Sequence, residues 1–171
     1  LKGVCARYGL GNDGNEFKII TQVFLYKFMN DKFVYETKLA DPFLATSDNW
    51  EKEIKGYKDS EYQMLLFKLN ESSARLKKEH FISYLHNNQN QEEFGKLFDD
   101  TLRDIAIFNN DVFSVKTEAG TKIQLFDELT QFIADSSKRD DFARAIINQL
   151  VNFSFESIFE EKFDFFSTIF E

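Results

Sequence analysis

One proline and seven glycines in 171 residues leave this chain almost no turn chemistry, and that scarcity favours helices. The proline, Pro42, follows Asp41, a pair that ends whatever helix precedes it. After Gly120 there is neither glycine nor proline. Phenylalanine occurs 21 times, so a bulky aromatic core is expected. Hydrophobic residues at 43% and charged residues at 29% describe a globular domain rather than a disordered tail. The length suits a single domain over residues 1–171.

Periodicity locates the elements. The opening GLGNDGNE reads as a loop that delivers Asn15 as the N-cap of a helix starting at Glu16. In EFKIITQVFLYKFMNDKFVYE, Lys18, Thr21, Gln22 and Lys32 fall on one narrow stripe and most of the remaining circumference is apolar. Such a helix belongs near the centre of a bundle. TSDNWEKEI offers Thr46 or Ser47 as the next cap, with Trp50 and Ile54 at helical spacing. Shorter helices are expected over 61–69 and 78–87. The clearest amphipathic stretch is NQEEFGKLFDDTLRDIAIF, with Phe94, Leu97, Phe98, Leu102, Ile105 and Phe108 on one face. Further helices are expected over 125–134, over 138–153 and through the Phe-rich terminus, with Ser137 and Asp140 resembling a capping box. In between, Phe113 and Val115, then Ile123 and Leu125, alternate with polar residues around a Glu-Ala-Gly-Thr turn. That rhythm predicts a short β-hairpin at about residues 112–125. The expected fold class is mainly α, a multi-helix bundle carrying one hairpin.

Most chemistry is excluded by what is missing. No apolar run approaches the roughly 20 residues that span a bilayer, and no signal-peptide pattern opens the chain. Cys5 is the sole cysteine, which rules out an internal disulfide and points to a reducing, cytoplasmic location. Gly9, Gly11 and Gly14 match G-x-G-x-x-G, but the motif cradles a pyrophosphate only between a strand and a helix, and no strand pattern precedes it. His80 and His86 are not spaced to share a helical face, which leaves metal binding without a ligand set. Adjacent acidic pairs such as Glu92-Glu93 and Asp99-Asp100 diverge on a helix and read as solvated flanks. The formal net charge of -8 opposes duplex binding by the whole surface. Any phosphate contact has to come from two local clusters, Arg75, Lys77 and Lys78, and then Lys138 and Arg139. No catalytic, cofactor or metal residue can be assembled.

Three stretches nevertheless resemble a known family. NEFKIITQVFLYKFMNDKF, NNDVFSVKTEAGTKIQLFDEL and FDFFSTIFE look like the N-terminal helical domain of type I restriction-modification DNA methylases, which methylate adenine at N6. The likeness covers essentially the whole chain in order and spacing. It implies a helical bundle ahead of an α/β domain that binds S-adenosylmethionine, with a Y-[YF]-T-P-like segment opening the cofactor site. A later [DN]-P-P-[FY] motif then holds the flipped adenine. With one proline the chain cannot contain that motif, so no catalytic or cofactor residue is carried over, and the fragment is not an enzyme by itself. The partners implied are the specificity subunit, a second modification subunit, the chain's own catalytic domain and double-stranded DNA in the assembled complex. The other reading of the residues is a stand-alone helical interaction module unrelated to methylation.

The terminus FSFESIFEEKFDFFSTIFE sharpens the choice. Phe155, Phe159, Phe163, Phe166 and Phe170 follow helical steps and offer one apolar face, while no glycine, proline or cationic last turn ends the helix. The expectation is a helix that continues into a catalytic domain.

Overall fold

The computed structural model describes residues 1–113 and 124–160. Within them the chain is mainly α, with ten α-helices and no strand. A short α1 (Lys2–Arg7) precedes a turn in which Gly9 takes a φ of 82°. Asp13, rather than Asn15, then caps α2 (Gly14–Ala40): its carboxylate accepts the Asn15 N–H at 2.8 Å. Glu16 reaches back to the Asn12 N–H at 2.7 Å, and the helix starts two residues ahead of expectation. Asp41 ends α2 in extended geometry and caps α3 (Pro42–Thr46), with Pro42 at the first helical position, where its missing N–H costs nothing.

Neither Thr46 nor Ser47 caps α4 (Trp50–Gly56). Thr46 lies inside α3 with its hydroxyl on the Pro42 and Phe43 carbonyls, and Ser47 accepts the Asn49 N–H, so the cap falls to Asn49. Next comes α5 (Asp59–Lys68), close to the expected 61–69. The helix expected over 78–87 is split into a 3-10 turn at Lys78–His80 and α6 (Ile82–Asn87), with Phe81 extended between them. Side chains of α2 cause the break. Tyr26 donates its hydroxyl to the His80 carbonyl at 2.5 Å and Asn30 accepts the Ile82 N–H at 3.0 Å, so those backbone groups are taken before a helix can use them.

The amphipathic stretch forms α7 (Phe94–Phe108), which packs on α9 (Arg139–Leu150). Gly95 permits the close approach: a Cβ there would stand 3.2 Å from the Arg139 carbonyl oxygen. The expected Ser137–Asp140 box does not form, because Ser137 turns back onto Asp135 and the Asp140 carboxylate accepts the Gly95 N–H of α7 at 2.8 Å. A carboxylate in the first turn of α9 thus satisfies a backbone N–H in the first turn of α7.

Residues 125–134, expected as a helix, are irregular apart from a 3-10 turn at Leu129–Phe132. Here too, backbone groups are satisfied from outside. Gln22 clamps Asp127 with two bonds of 2.7 Å, and Asp99 accepts both the N–H and the hydroxyl of Thr130. Of the expected hairpin, Val115 and Ile123 lie outside the described residues. Phe113 closes the one-turn α8 (Asn110–Phe113), its N–H bonded to the Asn109 carbonyl, and Leu125 sits in irregular chain. The last described element is α10 (Glu156–Glu160).

The core is aromatic as expected, with Tyr26, Phe33, Phe94, Phe98 and Phe142 fully enclosed. Phe33, Trp50 and Phe81 pack as one cluster at centroid separations of 5.1 to 6.4 Å. The middle of α2 is buried, as a central helix requires, while Phe17 and Leu39 near its ends face solvent. No helix among the described residues is long and apolar enough to cross a membrane.

Candidate docking site on the central helix

Of the five cations named from the sequence, Arg75, Lys77, Lys78 and Arg139 are tied to the protein itself. Arg75 donates to the Ser73 and Leu69 carbonyls, and Lys77 pairs with Asp104 at 2.8 Å while lying over the Phe108 ring. Lys78 donates to the Tyr57 carbonyl and covers the Tyr62 ring. Arg139 spends its Nε on the Ile133 carbonyl at 3.0 Å. Lys138 faces solvent, 3.7 Å from Asp135. The structure brings these residues together as two groups in sequence only, and each group is offset by a neighbouring carboxylate.

A more coherent constellation lies along α2, where Gln22, Tyr26 and Asn30 recur every fourth residue and therefore form one stripe. Each hydrogen-bonds backbone far along the chain, at Asp127, His80 and Ile82 respectively. Beside Asn30 sits a buried ion pair, with Lys27 only 6% and Asp31 only 4% exposed and their Nζ and Oδ1 atoms 3.1 Å apart. The Asn30 amide donates to Asp31 at 3.0 Å, and Asp31 Oδ2 accepts the Phe155 N–H at 2.8 Å. A buried carboxylate needs several donors to offset its lost hydration, and Asp31 has three. Among the described residues no buried side-chain nitrogen or oxygen lacks a partner.

That carboxylate seats the C-terminal segment on α2. Lys38 grips Glu156 with both carboxylate oxygens at 3.1 and 3.2 Å. Phe159 packs edge-on against Phe28 at 5.2 Å and tilted against Tyr35 at 5.7 Å, while Phe24 meets Phe153 and Phe155 at 6.0 and 6.2 Å. The Lys27 ammonium lies 5.2 Å from the Phe153 centroid, so the ion pair also touches the aromatic row. A cleft of about 560 Å³ opens beside this seat, lined by Lys27, Asp31, Lys38, Trp50, Ser154 and Glu156. The sequence reading counted α2 as apolar outside one stripe and passed over Lys27, Asn30 and Asp31. The available signal was three polar residues, two of them oppositely charged at i and i+4, inside an otherwise greasy helix.

Elsewhere among the described residues, several titratable groups are shifted from their ordinary pKa by burial and by their neighbours. His80, 1% exposed, accepts the Lys77 N–H on Nδ1 and donates Nε2–H to Asp104 at 2.6 Å, which leaves no lone pair to act as a base. Burial lowers its pKa despite the nearby carboxylate. Burial alone would raise the Asp104 carboxyl, but hydrogen bonds from Lys77 and His80 hold it below its ordinary value. Burial raises the Asp99 carboxyl, partly offset by its two bonds from Thr130. Burial and Glu16 push the Cys5 thiol up, away from the reactive thiolate. No cluster of His, Cys, Asp and Glu among the described residues could hold a metal ion. Gly9, Gly11 and Gly14 follow helix α1 and a turn, not a strand, so no pyrophosphate cradle is built there. Comparison with protein-family models, curated proteins and solved structures finds no match to this chain.

Proposed function

We propose that this chain is a non-catalytic helical docking domain of the type that precedes the catalytic domain in type I restriction-modification adenine methylases. The observation that carries the reading is the seating of residues 153–160 on α2: an aromatic segment is oriented by a buried carboxylate and a surface ion pair. A bundle that fixes the direction of its own C-terminal segment is suited to hold a following domain in a defined pose. The internal engagement of Arg75, Lys77, Lys78 and Arg139 supports contact with proteins first and with phosphate second. On this reading S-adenosylmethionine binds the catalytic domain, and the partners are the specificity subunit, a second modification subunit and, through them, duplex DNA. The setting is cytoplasmic.

The gene provides the first test. Translation of the DNA beyond the Glu171 codon is expected to yield a Y-[YF]-T-P-like segment and then a Pro-Pro-aromatic motif. A stop codon there would sink the methylase reading and leave the stand-alone interaction module, which exposed Phe43, Met64 and Phe67 favour.

A further inference from the structure

A second surface, away from the α2 seat, has the make-up of a helix-binding groove. It runs between α3 and α5, has a volume of about 420 Å³, and is lined by Asp41, Phe43, Tyr57, Glu61, Met64 and Lys68. Phe43 is 58% and Met64 66% exposed, and Phe67, one step round α5, is 90% exposed. These side chains are the wrong way out for a surface selected only for solubility. The reason is local: α5 turns Tyr62, Leu65 and Leu66 to the core, which leaves Met64 and Phe67 outside.

The charge of the groove selects its occupant. Asp41 accepts hydrogen bonds only from neutral donors, the Phe43 N–H at 3.0 Å and the Tyr57 hydroxyl at 2.6 Å. Glu61 accepts the Lys58 N–H at 2.7 Å. Among the described residues no cation stands within ion-pairing distance of either carboxylate. Lys68 lies at the opposite, C-terminal end of α5. The groove therefore has an apolar floor, an acidic end and a basic end. We propose that it binds an amphipathic helix of a partner protein, with large apolar anchors on one face and lysine or arginine at the end that lies over Asp41 and Glu61. The inference rests on this surface alone and stands whether or not the chain belongs to a methylase.

The two methionines give a direct readout, because Met64 is exposed and Met29 is buried. The full chain, labelled at the methionine methyls, is titrated with a synthetic leucine–lysine amphipathic helix and with its leucine–glutamate counterpart. The expected result is a saturable shift of the Met64 resonance with the lysine peptide, no movement of Met29, and no response to the glutamate peptide. Phe43→Ala is expected to weaken binding roughly tenfold and Glu61→Lys about fivefold. Both positions are exposed and leave the core intact, which far-UV circular dichroism checks. Equal shifts with both peptides, a silent Met64, or Met64 broadening with protein concentration in the absence of peptide would each overturn the proposal. The last outcome would make the groove a contact between copies of this chain.

Discussion

His80 holds its place by being neutral, and that makes it a pH-dependent element of stability. Its folded pKa lies below the ordinary 6.5, so as the pH falls the unfolded chain takes up the proton first. The stabilisation is complete above about 6.5 and is progressively lost as the pH drops below that value. Asp104, held below its ordinary range, stays ionised through the same window and does not mask the effect. In urea denaturation His80 is therefore expected to make stability fall between pH 7 and pH 5, while Asp99, its carboxyl raised by burial, acts in the opposite sense toward the acid end. His80→Gln keeps an acceptor and a donor without a titrating ring, so it should flatten that slope while lowering stability at pH 7. An unchanged slope would show that some other group titrates. Gly95 makes a second prediction at this scale. Leucine there must displace the Arg139 backbone, and overpacking of roughly 1–3 kcal/mol is expected in place of the gain that replacing a helical glycine normally brings.

The elements follow one rule: α2 decides what the less regular segments do. Its Gln22, Tyr26, Asn30 and Asp31 side chains take up backbone groups at Asp127, His80, Ile82 and Phe155. Asp31→Ala removes the acceptor for Phe155 and strands Lys27 without its counter-ion. A loss of about 3–5 kcal/mol is expected, with accelerated hydrogen exchange at the Phe155 amide and through α10. Lys38→Ala breaks a pair that is partly in solvent and should cost less than about 1 kcal/mol. If Lys38 proved the more costly of the two, the buried carboxylate would not be what anchors the segment.

The same rule explains what was legible in the sequence. The periodicity of α7, the locally capped α5 and the break at Asp41-Pro42 could be read within one window. The interruption at Phe81 and the irregular path of residues 125–134 could not. Phe81, Ile82 and Leu85 carry a helical pattern, yet Tyr26 and Asn30, more than fifty residues away, claim the backbone bonds that a helix needs. The candidate site was hidden for a related reason. Asp31 gains meaning only when Phe155 arrives beside it, and the cations that stood out as clusters turned out to have neighbours to hold.

At the scale of the whole molecule, the net charge of -8 and the internal commitment of the named cations set the expectation for nucleic acid. Labelled duplex mixed with the isolated chain should show no saturable change in anisotropy, even at low salt. Tight binding that weakens steeply with salt would place a phosphate-binding face where none is expected. Docking between proteins is the central claim, and size-exclusion chromatography with light scattering tests it most directly. On the proposed methylase reading, the chain is mixed with a candidate specificity subunit and with the proposed catalytic domain, each expressed separately. The expected result is a stable complex that contains this chain and is weakened by Asp31→Ala. Separate elution of the wild-type chain from both partners would contradict it.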